Sequence, residues 1–239
     1  GVFAFITVKA YLYPEDEKGN KPIAYYWART AKCSNPSCKS EVPLLRGFYL
    51  CEKPDNKQYL NPIIQGNTIE FEIKTGTHSI TQWLKNANLK CPCCGSITEV
   101  KNLRSQFIEG NSNERLLAVI WDGQKGKEYR LPSKNELNAI SSLTDSLGKP
   151  TEELPIEYTG KFPRPWGFNT WGDLFSRRQL TAMLTIVSHL ENMKKEMDVD
   201  NEYRKAVISY LAIWLDRVAM FTTSFGLWKS SIQAITTPF

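Results

Sequence analysis

The sequence predicts an α+β chain: a strand-rich module with an extended insert, followed by a helical bundle. Three observations carry that prediction. Aromatic and β-branched runs broken by Gly, Asn, Asp and Pro fill the first half of the 239 residues. Two long apolar stripes at three- and four-residue steps fill the second. No internal repeat or low-complexity tract interrupts either. A chain of this length can bury a real core as one large or two small domains, and the change of pattern places the division at residues 1–132 and 133–239.

The strands come first. "PIAYYWARTAKC" (22–33), "LRGFYLCEK" (45–53), "NTIEFEIKTG" (67–76) and "ERLLAVIWDG" (114–123) read as strands, and "GQKGKEYRL" as a hairpin return through Gly123–Gly126. A helix opens at "SKNELNAISSL", where Ser133 and Glu136 have capping-box spacing. Residues 148–173, rich in Pro, Gly and aromatics, predict an irregular connection. Ser176 and Gln179 cap the next helix, whose stripe is Leu180, Met183, Leu184, Val187, Leu190 and Met193. Val207, Tyr210, Leu211, Trp214, Leu215 and Val218 form another, and the short acidic link "MDVDNE" makes the two an antiparallel pair.

Composition narrows the class. No run approaches the ~20 apolar residues of a membrane span, and the apolar start "GVFAFITVKAYLYP" lacks the basic leader and small-residue cleavage site of a signal peptide. The net charge of +5 lies wholly in residues 1–130, with 18 Lys+Arg against 13 Asp+Glu. A mildly basic half is compatible with nucleic acid.

Six cysteines, Cys33, Cys38, Cys51, Cys91, Cys93 and Cys94, fall in a pattern that suits a metal and a reducing, cytoplasmic compartment better than a disulfide framework. In "CPCCG", two thiols three positions apart on one tight turn can face the same ion; Pro92 stiffens the turn and Gly95 can take the positive φ that follows it. That geometry selects Cys91 and Cys94. "CSNPSC" supplies the partner pair, Cys33 and Cys38. Four thiolates make a closed set, the composition of a structural zinc site and the basis for a zinc-ribbon module. Between Cys38 and Cys91 lie 52 residues with strands of their own, the extended insert; Cys51 falls there, in an apolar strand, as core. His78 and His189 stand alone, without ligand spacing.

No catalytic constellation is complete. Phosphate-loop, dinucleotide, G-x-S-x-G and H-E-x-x-H patterns are absent. The tail "TTPF" (236–239) lacks the acidic or amide residue that an amino-methyltransferase D/N-P-P-Y/F motif places before its prolines. Candidate nucleic-acid contacts are Lys32, Lys39 and Lys90 beside the cysteine pairs, with Arg164, Arg177 and Arg178 in the aromatic-rich "FPRPWGFNTWGDLFSRRQL". The same aromatics can instead pin the connection onto the helical pair.

Taken together, "YYWARTAKCSNPSC", "CPCCG", "ERLLAVIWDGQKGKEYRLPS", "FNTWGDLFSRRQL" and "YLAIWLDRVAMFTTSFGLW" resemble, in order, the central section of adenine-specific DNA methylases containing a zinc ribbon, over residues 22–235. The C-x4-C and C-P-x-C-G knuckles of that family match Cys33, Cys38, Cys91 and Cys94. The resemblance implies DNA and the remaining methylase domains as partners, no membrane, a phage-defence setting, and S-adenosylmethionine as cofactor of the complete methylase alone. The family's cofactor loop and D-P-P-Y motif have no counterpart in this sequence, so no catalytic residue carries over. The resemblance implies a zinc-binding segment that contributes DNA engagement or scaffold and is not itself catalytic. A stand-alone zinc-ribbon module binding nucleic acid or a protein partner is the alternative.

Overall fold

The computed structural model describes residues 12–124, 126–141, 148–157 and 161–236. Most of the apolar N-terminal stretch and the last three residues of the "TTPF" tail lie outside them. The described part is α+β, with every sheet antiparallel.

The largest sheet has the order β10-β9-β1-β2, built from β1 (Pro22–Lys32), β2 (Glu41–Pro43), β9 (Asn113–Gly123) and β10 (Gly126–Arg130). The long pair β1 and β9 runs from Pro22 opposite Trp121 to Thr30 opposite Asn113, with two register shifts. A second sheet joins β3 (Tyr49–Cys51), β4 (Gln58–Gln65) and β5 (Thr68–Thr75). The predicted strand over 45–53 is thus only three residues long: Leu45 and Phe48 are buried as core, but the ladder is broken before Cys51. The short strands β6 (Leu84–Lys85), β7 (Asn88–Lys90) and β8 (Ile97–Thr98) surround the "CPCCG" turn. Val42, Phe48, Leu50, Cys51, Leu60, Leu89, Leu103, Leu117 and Ile120 fill the core between these sheets and α1 (Val100–Ile108).

After β10 come α2 (Lys134–Ser141), two 3-10 turns (Arg164–Trp166 and Trp171–Leu174), then α3 (Arg177–Glu196) and α4 (Asn201–Thr222). Both predicted caps are present. Glu136 accepts from the Ser133 N–H at 2.8 Å, and Gln179 accepts from the Ser176 N–H at 2.8 Å. The Ser224 N–H donates to the Leu174 carbonyl, which ties the end of α4 to the start of α3 and makes the pair antiparallel. The connecting loop is pinned by its aromatics: Trp166 meets Phe107 of α1 edge-on, and the Arg29 guanidinium lies 3.9 Å over Phe168.

A last hairpin, β11 (Leu227–Lys229) with β12 (Ala234–Thr236), returns to the strands. The Trp228 indole donates to the Leu50 carbonyl at 2.7 Å, and Gln233 donates to the Tyr129 hydroxyl at 2.7 Å.

Candidate metal centre

Two turns, one after β1 and one between β7 and β8, present the cysteine pairs. Their backbones follow one plan. In the first, the Cys33 N–H donates to the Ser40 carbonyl at 2.9 Å; in the second, the Cys91 N–H donates to the Ser96 carbonyl at 2.8 Å. The residue after each second cysteine takes the left-handed conformation: Lys39 at φ 51° and Gly95 at φ 76°. Asn35 closes the longer turn, its side chain accepting from the Ser37 N–H and its carbonyl from those of Cys38 and Lys39.

The thiols converge. Cys33, Cys38, Cys91 and Cys94 place their sulfurs within 4.8 Å of one another. Cys33 to Cys94 is 3.6 Å and Cys38 to Cys91 is 3.8 Å. Metal–thiolate bonds of ~2.3 Å in a tetrahedron put sulfurs about 3.8 Å apart. A disulfide needs ~2.05 Å. The spacing fits four ligands around one ion, and the four cysteines could hold a metal.

Cys93, the middle residue of the knuckle, turns away to lie 3.2 Å from the Ser40 hydroxyl. Cys51 is buried in β3, among the core side chains.

Protonation differs across the cluster. Burial pushes the Cys33 thiol up to about 12. Hydrogen bonds from the Ser96 side chain and N–H bring Cys94 down to about 6. A cation arriving at neutral pH therefore meets an exposed thiolate at Cys94 first and must displace the proton of the buried Cys33.

Polar contacts hold the two turns together. The Ser34 N–H donates to the Thr98 hydroxyl at 3.0 Å, and the Asn35 amide reaches the Ser96 hydroxyl at 3.4 Å. Gln106 of α1 grips the strand just before Cys33, accepting from the Lys32 N–H at 2.8 Å and donating to the Lys32 carbonyl at 2.9 Å. Such contacts orient metal ligands from behind.

The two residues of left-handed conformation give a paired prediction. Lys39 carries a Cβ at φ 51° and bears its steric cost, which Lys39→Gly removes; Gly95→Ala introduces that cost at φ 76°. Thermal unfolding of the metal-loaded protein should show the first variant stabilised, or unchanged, and the second destabilised by about 1–2 kcal/mol.

Lys32, Lys39 and Lys90, the lysines beside the cysteine pairs, are exposed. Arg164 pairs with Glu153 at 2.8 Å, and Arg177 is exposed at the start of α3. Arg178 departs from its expected place at the surface. It is 4% exposed, with its guanidinium 3.9 Å over Tyr25 and 5.0–5.2 Å from Tyr13 and Trp27, so it cannot contact a phosphate in this structure. Tyr25 and Trp27 share one face of β1, remote in sequence from Arg178, so no local pattern marks the contact. His78 is enclosed by the rings of Phe48, Tyr49 and Tyr59, and burial lowers its pKa.

Comparison with known proteins finds no matching family model, and no curated protein or solved structure with significant similarity to the chain. Among the described residues, no helix is long and apolar enough to cross a membrane.

Proposed function

We propose that the four cysteines hold one structural zinc ion and that the chain is a non-catalytic module engaging DNA. On the resemblance, that module corresponds to the central section of an adenine-N6 methylase, contributing DNA engagement or scaffold. The observation that supports this reading is the position of three exposed lysines. Lys32, Lys39 and Lys90 each adjoin a buried ligand, Cys33, Cys38 and Cys91 respectively. A metal that fixes the ligands fixes the backbone beneath these cations, so their spacing is set before a phosphate arrives. Four thiolates on a divalent ion leave two negative charges, which three lysines outweigh.

Methyl transfer belongs, on this reading, to the complete methylase, with S-adenosylmethionine and a base flipped into a catalytic pocket. The zinc-loaded chain should bind duplex DNA with an affinity that falls steeply with salt. Replacing all three lysines with Gln should flatten the log–log slope by up to about 3, the share of three phosphate contacts. Binding absent at low salt, with capture of a protein partner instead, favours the stand-alone module. Transfer of a labelled methyl group by this chain alone overturns the non-catalytic reading.

A further inference from the structure

We propose that the outer face of α4 is a self-association surface on which a second copy of this chain seats its own α4, antiparallel across a two-fold axis. The inference stands apart from the metal centre and from DNA.

In its 22 residues α4 has no fully buried side chain. Ile208, Leu211, Leu215 and Thr222 are half-buried along one side of the helix, and α4 packs against α3. About 100° round the helix, at 3.6 residues per turn, lies a second apolar line. Tyr203 is 60% exposed, Tyr210 75%, Trp214 48% and Phe221 40%, with Ile213 beside them at 64%. An apolar stripe of this length on a helix marks an interaction site.

The spacing points to the occupant. Tyr203, Val207, Tyr210, Trp214, Arg217 and Phe221 follow one another at steps of four, three, four, three and four. That is a heptad seam, the pattern that receives another helix lying alongside. It is also palindromic. The aromatic steps of seven, four and seven read the same from either end, so a two-fold axis level with residue 212 lays the seam on a reversed copy of itself. Tyr203 then faces Phe221 of the second copy, and Tyr210 faces Trp214. Arg217, whose guanidinium lies 4.8 Å over Phe221, falls opposite Val207. The two Arg217 side chains sit ten residues apart along the axis, roughly 15 Å, so like charges do not confront each other.

The area is smaller than that of a standard interface and suits a weak, reversible dimer. Four rings of about 150–250 Å² each, at these exposures, offer on the order of 450 Å² per copy. Ile213 and the stem of Arg217 add to it, against about 800 Å² per partner in a standard interface.

Sedimentation velocity of the metal-loaded chain over a concentration series should show a reversible monomer–dimer equilibrium. The double variant Tyr210→Glu with Trp214→Glu should stay monomeric, its helical circular dichroism and metal content unchanged. Orientation has its own readout. A thiol crosslinker applied to Tyr203→Cys mixed with Phe221→Cys should trap the mixed dimer above the wild-type background, and either variant alone should not crosslink through its new thiol. A chain monomeric at every concentration, a dimer that survives the double variant, or self-crosslinking of Tyr203→Cys would each overturn the proposal.

Discussion

With zinc held as proposed, stripping it should unfold the strand-rich half of the protein. Three of the four thiols, those of Cys33, Cys38 and Cys91, are buried within the same apolar core as Phe48, Leu50, Leu89 and Leu103. Without an ion, the four sulfurs held within 4.8 Å of each other lose the interaction that justifies their proximity, while the long insert between the knuckles loses its closure. Zinc binding to structural sites is worth about 10–16 kcal/mol in finger peptides, comparable with or larger than the ~5–15 kcal/mol that keeps a whole domain folded. The expected result is one zinc per chain by elemental analysis, and loss of near-UV circular dichroism when a strong chelator removes it. Cys91→Ser, at a fully buried ligand, should abolish metal retention. Cys94→Ser, at the exposed corner, should weaken it less because water can take the vacated position. Cys93→Ser should leave the metal content unchanged. A thermal transition indifferent to the chelator would refute the structural role.

What the sequence made legible was what is locally encoded. Ser133 with Glu136 and Ser176 with Gln179 satisfy helix N–H groups three residues away, so each cap can be read from four positions, and both are found. The cysteine knuckles are equally local, and long β1 and β9 declare themselves by runs of aromatic and β-branched residues bounded by turn residues. Features set by distant partners were not legible. The start of α1 is satisfied by the Asn88 side chain, twelve residues upstream, which accepts from the Val100 N–H, and that helix buries Leu103 alone. Strands β6, β7 and β8 are two or three residues long, too short to show a period. Hairpin β11–β12 exists through contacts with Leu50, Tyr129 and Lys127, all remote in sequence. The second helical stripe merged two faces: Leu211 and Leu215 are half-buried on one, whereas Tyr210 and Trp214 stay exposed on the other, with Val207 half-buried at the edge between them. Periodicity alone cannot separate a line that is already covered from one beside it.

Glu136 carries the second large effect. Its side chain is 1% exposed and takes both arms of the Arg130 guanidinium, Nη1 to Oε2 at 2.7 Å and Nη2 to Oε1 at 3.0 Å. The Ser133 N–H and hydroxyl also donate to Oε2. On its other side Arg130 lies 3.5 Å from Asp16, whose carboxylate accepts from Lys18 and Asn20, so one guanidinium joins the start of the described chain to the capped end of α2. Glu136→Ala removes the cap and strands a partly buried Arg130; breaking such a pair on one side costs about 3–5 kcal/mol. Replacing both partners, as Arg130→Met with Glu136→Leu, should cost less than Glu136→Ala, because the buried carboxylate and its guanidinium leave together while Asp16 keeps its bonds from Lys18 and Asn20. The pH dependence has a definite sign. Burial alone raises the Glu136 pKa, but Arg130 and Ser133 outweigh it and hold the folded value below the ordinary one. The contribution is therefore complete above the unfolded-state pKa of about 4.3 and disappears as the pH falls through the lowered folded value. Urea unfolding should thus show a large gap between wild type and Glu136→Ala at neutral pH that narrows in acid. A gap below about 1 kcal/mol at pH 7, the size of an ordinary surface change, would mean that the Arg130 pair does not hold this end of the sheet.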